Sequence, residues 1–126
     1  MRGNPRIHAI SDVRIEAPPG REEVLRKLYR DLLGLCEAQP PPEFAPALAF
    51  EAHGRRLNVR ILREAMASPM RRRLLIEVDS LEQAAERLWR SGFPCQLTLG
   101  MGIGDRRVVL LDPGGNRVEL KEVRPL

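Results

Sequence analysis

The chain has 126 residues, 43% hydrophobic and 30% charged, with a formal charge of +4. That length suits one compact domain with its own core, and no apolar run approaches the length of a membrane-spanning helix, so neither a disordered chain nor a membrane partner is expected. The positive charge is almost wholly arginine interleaved with acid, Lys27 and Lys121 being the only lysines, which predicts a solvated basic surface and no nucleic-acid interface.

Residues 1–9 read as an arm, because Pro5 and mixed polarity argue against a buried start. They lack the apolar stretch of a secretory leader, so the expected compartment is the cytoplasm. From Ile10 the pattern becomes strand-like, with Val13, Ile15 and Ala17 alternating against Asp12, Arg14 and Glu16. Pro18-Pro19-Gly20 ends it. A helix is predicted over Arg21 to Leu33, with Val24, Leu25, Leu28, Leu32 and Leu33 on one stripe and Gly34 as its stop. The proline-rich stretch Cys36 to Ala47 reads as an extended loop with at most an edge strand. Short strands follow at Leu48 to Glu51 and Leu57 to Leu62, joined by a turn at His53-Gly54. Leu57, Val59 and Ile61 face one way and Asn58 and Arg60 the other. Arg63 to Arg72 is a connector.

The pattern then restarts. Leu74, Ile76 and Val78 alternate with Arg73, Leu75 and Glu77, and Ser80 to Ser91 reads as a helix with a Ser80/Gln83 capping box and Gly92 as its stop. Leu81, Ala84, Ala85 and Leu88 form its stripe, and Trp89 beside it is expected to pack into the core. Cys95 to Leu99 and Val108 to Leu111 are short strands around the Gly100 to Gly104 loop. That loop resembles a glycine-rich phosphate loop, but no helix follows it, so the dinucleotide reading fails. The turn Asp112-Pro113-Gly114-Gly115-Asn116 leads to a last strand, Arg117 to Val123, in which Val118 and Leu120 point one way and Arg117, Glu119 and Lys121 the other. Asp112 is expected to accept hydrogen bonds of the turn and not to act as a base. Cys36 and Cys95 have no metal-ligand spacing and read as ordinary thiols.

The two halves are one βαβββ unit written twice, giving a single domain over 1–126 with a first unit at 10–62, a connector at 63–72 and a second unit at 73–123. A repeated unit of this kind, with Tyr-Arg-Asp-Leu-Leu-Gly-Leu at 29–35 and Leu-Asp-Pro-Gly-Gly-Asn-Arg-Val-Glu-Leu at 111–120, resembles the glyoxalase, bleomycin-resistance and dioxygenase family, the vicinal oxygen chelate superfamily. The resemblance implies an α+β fold in which the two units form an open, U-shaped mixed sheet with a concave ligand-binding face, and it implies a homodimer. It also implies four metal-ligand positions, His or Glu in the family, which here fall on Asp12, Asn58, Arg73 and Glu119. Only Glu119 matches, and the guanidinium of Arg73 would repel a cation, so no cofactor is expected. If a divalent metal does bind, Asp12 and Glu119 are its candidate ligands.

The alternation by itself collects Asp12, Arg14, Glu16, Asn58, Arg60, Arg73, Glu77, Arg117, Glu119 and Lys121 on one face, an ion-paired cup in which Arg73 and Glu119 satisfy each other. Asp12, Arg14, Asn58, Arg60, Arg73, Glu77 and Glu119 are the candidate ligand-binding residues, and a small polar or anionic molecule is the expected partner, held through Arg14, Arg60 and Arg73. A solvated sheet face is the bland alternative. Others are a divalent-metal lyase or dioxygenase, a metal-free enzyme with Glu77 or Glu119 as general base, and a dimeric interaction module without a ligand.

Overall fold

The computed structural model describes residues 7–10, 13–65, 73–99 and 105–123, the first four by their backbone alone. Strands β1 (Ile7–Ile10) and β2 (Val13–Ala17) come from neighbouring stretches of chain but join different sheets. Helix α1 (Glu22–Arg26) continues as a π-helical turn over Lys27–Leu32. Strands β3 (Cys36–Ala38), β4 (Ala47–Ala52) and β5 (Arg55–Ile61) complete the first half. The second half is β6 (Arg73–Val78), α2 (Leu81–Arg90), β7 (Gln96–Leu99), β8 (Arg106–Leu111) and β9 (Arg117–Glu122).

The strand orders are β2-β5-β4-β3 and β1-β6-β9-β8-β7. In each half the strand before the helix runs parallel to the last strand, and the other pairs are antiparallel, so both sheets are mixed. This is the expected α+β fold. Strands β3 and β7 end the two sheets as unclosed edges, leaving an open U. One expectation is corrected here: residues 7–9 are not arm but strand, which with Ile10 pairs antiparallel with β6 from Ile7↔Val78 to Ile10↔Ile76. The physical reason is that β6 would otherwise expose a row of unpaired backbone groups, and the first strand supplies its partners.

The helices cover one face of the sheets. Ile15, Ala17, Leu57, Val59 and Ile61 in the first half and Leu74, Ile76, Val78, Val118 and Leu120 in the second are buried against Leu25, Leu28, Leu32, Leu81, Ala84 and Leu88. Each such leucine or isoleucine contributes roughly 1.5–3 kcal/mol by leaving water. The π-helical turn shifts the α1 stripe, with Leu33 N–H bonded to the Leu28 carbonyl at 3.0 Å, so that Leu28, Tyr29, Leu32 and Leu33 are all buried. Ser80 caps α2 as predicted, accepting from Gln83 N–H at 3.2 Å. Trp89 departs from expectation and is 60% exposed. It lies about 100° around the helix from Leu88, beyond the edge of the buried stripe.

The His53-Gly54 turn forms with both residues at positive φ, 53° and 78°, as a two-residue hairpin turn between strongly twisted strands requires. Among the described residues no helix is long and apolar enough to cross a membrane.

Candidate functional site

The face of the sheets away from the helices is the concave one, and its side chains follow from register. In the first sheet Arg14 lies opposite Asn58 and Glu16 opposite Arg60, with Ala47 and Ala49 on the far side of β5. Phe44, from the 3₁₀ turn Pro42–Phe44, reaches over this face, and the Arg14 guanidinium sits 4.4 Å from its ring centroid. A cation over an aromatic face at this distance is electrostatically attractive. Arg14, Ile15, Glu16, Phe44, Ala47, Asn58 and Arg60 line a pocket of about 210 Å³. Inside it the Asn58 side-chain oxygen is buried with no hydrogen-bond partner among the described residues. A buried amide oxygen left unsatisfied costs about 1–3 kcal/mol, so a donor arriving in the pocket would be favoured there.

In the second sheet Arg73 pairs in register with Arg117, Leu75 with Glu119 and Glu77 with Lys121. Arg107 lies opposite Lys121 and Val109 opposite Glu119. Glu119 is the centre of this half and is only 4% exposed. Arg107 donates from Nη1 to its Oε1 at 2.8 Å, Arg117 donates from Nε to its Oε2 at 2.8 Å, and Arg73 Nε stands 3.1 Å from the same Oε2. Hydrogen bonds from Arg117 outweigh the opposing cost of burial, and Arg107 and Arg73 add to them, holding this carboxyl below the usual carboxylate range. The predicted contact between Arg73 and Glu119 is therefore present, joined by two further arginines.

Arg117 was legible on this face from alternation. Arg107 was not, because the sequence pattern begins the strand at Val108 while the hydrogen-bonded strand begins at Arg106. Extending the period back from Val109 places Arg107 beside Glu119. Phe44 gave no periodic signal at all, since it lies in the proline-rich segment.

The candidate residues thus divide between two sheets, Arg14, Asn58 and Arg60 on one and Arg73, Glu77 and Glu119 on the other. Asp12 and the Gly100 to Gly104 loop lie outside the described residues. The donor set that is described suits a divalent cation poorly. Both oxygens of Glu119 accept from guanidiniums, Arg73 brings a fixed positive charge to a third ligand position, and Asn58 offers a neutral amide. Among the described residues no group of three or more His, Cys, Asp or Glu side chains is placed to hold a metal.

Behind the cup the Asp112 turn ties the halves together. Asp112 Oδ1 accepts from Gly114 N–H at 2.8 Å and Asn116 N–H at 2.9 Å, as the sequence predicted for a turn residue. Its Oδ2 accepts from the Tyr29 hydroxyl at 2.5 Å, and Asn116 Nδ2 donates to the Glu16 carbonyl at 2.8 Å. Burial pushes Asp112 up from the usual carboxyl range, against the pull of the Tyr29 hydroxyl and the Asn116 donors. Burial, with the Asp112 charge, also pushes the Tyr29 phenol well up, so Tyr29 stays a donor. A Cβ on Gly114 would fall 2.8 Å from Ala17 Cβ and 2.9 Å from the Glu16 carbonyl, so only glycine admits this approach of the turn to β2.

No family model matches the chain and no curated protein matches it. Solved structures do resemble it. The structure of lactoylglutathione lyase from Agrobacterium tumefaciens superposes with a TM-score of 0.70 at 19% identity, covering 90% of this chain and 92% of that one. A glyoxalase / bleomycin resistance protein from Catenulispora Acidiphila DSM 44928 gives 0.63 at 21% identity, covering 90% and 99%. TnmS3, an antibiotic binding protein from Streptomyces sp. CB03234, gives 0.63 at 21% identity, covering 93% and 99%. The fold of this chain is the fold of the glyoxalase, bleomycin-resistance and dioxygenase proteins, as the repeated unit implied.

Proposed function

We propose that the protein binds a small polar or anionic molecule on its concave face without a catalytic metal, as a homodimer in the cytoplasm. The observation that carries the reading is the first-sheet pocket, where the Arg14 and Arg60 side chains, the Phe44 ring and the unsatisfied Asn58 oxygen meet around about 210 Å³. That volume suits a ligand of roughly ten heavy atoms or fewer, one with a donor for Asn58 and an anionic group for the arginines. The antibiotic binding neighbour supports a binding role for this fold, since one fold hosts unrelated functions. Asn58, Arg73 and Glu119 then mark a metal site that has degenerated, its carboxylate held by arginine.

A thermal-shift screen of small carboxylates, phosphates and hydroxy acids tests this, repeated on Arg60→Gln and Asn58→Leu. Stabilisation of the parent by at least one compound, reduced in both variants, is the expected result. A screen with no stabilising compound would sink the reading. The second reading, a metal-dependent lyase or dioxygenase, is favoured by the resemblance in fold to lactoylglutathione lyase. Elemental analysis after incubation with Mn, Fe, Ni, Zn and Mg decides it: stoichiometric metal that Asp12→Asn or Glu119→Gln removes would replace the binding reading with this one.

A further inference from the structure

The second sheet has its own charge problem, separate from the pocket. Three guanidiniums approach the one carboxylate of Glu119, and Asp105 stands 3.6 Å from Arg107, so Arg107 is balanced while Arg73 and Arg117 share a single carboxylate oxygen. Both reach that oxygen side-on, through Nε. An arginine has five N–H donors, and the closest approach of Arg73 and of Arg117 to Glu119 uses Nε, leaving the terminal nitrogens of each fork at its outer end. The two residues are direct cross-strand neighbours at the starts of β6 and β9, where adjacent strands lie about 4.8 Å apart. Their side chains are 66% and 47% exposed, so their outer ends are open to the cup. Leu75 and Leu111, 39% and 56% exposed, flank them on the same face.

We propose that Arg73 and Arg117 form a paired seat for a tetrahedral oxyanion, a phosphate or phosphonate group carried on a small organic body, with Glu119 as the positioning residue that aligns the two forks. The reasoning rests on the reading of the cup as a binding face. Buried Glu119 accepts a hydrogen bond from Arg117 Nε and holds Arg73 Nε in an ion pair at 3.1 Å, which reduces the rotamer freedom an exposed arginine would lose on binding. Two forks on neighbouring strands, both drawn to one carboxylate oxygen, suit three or four oxygens on one centre better than the two of a carboxylate. The leucines give the organic body an apolar shoulder.

The probe is inorganic phosphate, titrated calorimetrically into the full chain, with acetate as the monoanion control. Arg73→Lys and Arg117→Lys retain the charge and lose the fork at exposed positions, so folding is not at stake. Saturable phosphate binding, weaker for acetate and weakened about tenfold or more in each lysine variant, is expected. Glu119→Gln discriminates further: general charge attraction predicts tighter phosphate binding once a carboxylate is gone, and a positioning role predicts weaker binding. Absence of phosphate binding, equal binding by the lysine variants, or tighter binding by Glu119→Gln would each overturn the seat. If phosphate binding is lost only in Arg60→Gln, the seat is wrong and the cup reading stands.

Discussion

Two buried carboxylates lie on one hairpin, Asp112 in its turn and Glu119 in its second strand, each 4% exposed. They are kept by opposite means. Asp112 is surrounded by neutral donors, a phenol, two backbone amides and a side-chain amide, and burial pushes its pKa up. Glu119 is surrounded by cations, and they hold its pKa down. The difference separates two roles: neutral donors deep in the structure fix a backbone path, whereas cations around a carboxylate leave a positively charged surface facing solvent.

The largest expected effect is at the turn. Gly114→Ala forces a methyl against Ala17 and the Glu16 carbonyl, at 2.8 and 2.9 Å, and should cost about 3 kcal/mol in urea unfolding. An unchanged midpoint would mean that the turn does not pack on β2 as described. Tyr29→Phe removes the hydroxyl from Asp112 and should cost about 2 kcal/mol, while raising the Asp112 pKa further. Glu119→Gln should cost less, about 1 kcal/mol, because its arginine partners reach water and their pairing is screened.

Stability against pH sharpens the contrast. Glu119 has a folded pKa below its ordinary 4.5, so its contribution is present above that value and is lost as pH falls through the folded pKa. Asp112 has a folded pKa above its ordinary 3.8, so its contribution is present below 3.8 and is lost as pH rises through the folded pKa. Subtracting the Glu119→Gln stability curve from the parent's should therefore give a difference that grows with pH, and subtracting the Asp112→Asn curve one that shrinks. Slopes of the same sign would break the comparison. The smallest effect is that of salt: going from about 0.05 to about 1 M NaCl should reduce the cost of Glu119→Gln and leave that of Tyr29→Phe unchanged.

Much of the architecture was readable from period. Leu57, Val59 and Ile61 against Asn58 and Arg60, and Leu74, Ile76 and Val78 against Arg73, Leu75 and Glu77, were assigned to their faces by alternation, and Ser80 marked the start of α2. Where the period ran out, the reading failed. Ile7–Ile10 is too short to show alternation and is a strand because β6 needs a partner. Trp89 was placed in the core because it flanks the apolar stripe, although its angular position on α2 puts it outside.

What the sequence determined by itself was the repeated unit, the alternation that sets Arg14 and Asn58 on the polar face of one sheet and Arg73 and Glu119 on that of the other, and the turn chemistry of Asp112 and Asn116. Tertiary structure alone decided that Tyr29 reaches Asp112 across 83 residues, that Phe44 covers Arg14, and that Arg107 joins Arg73 and Arg117 on Glu119. Local spacing specifies which side of a strand a residue occupies. It does not specify which distant side chain stands opposite, because that depends on how sheets and helices pack, and a side-chain network is set only when the packing is complete.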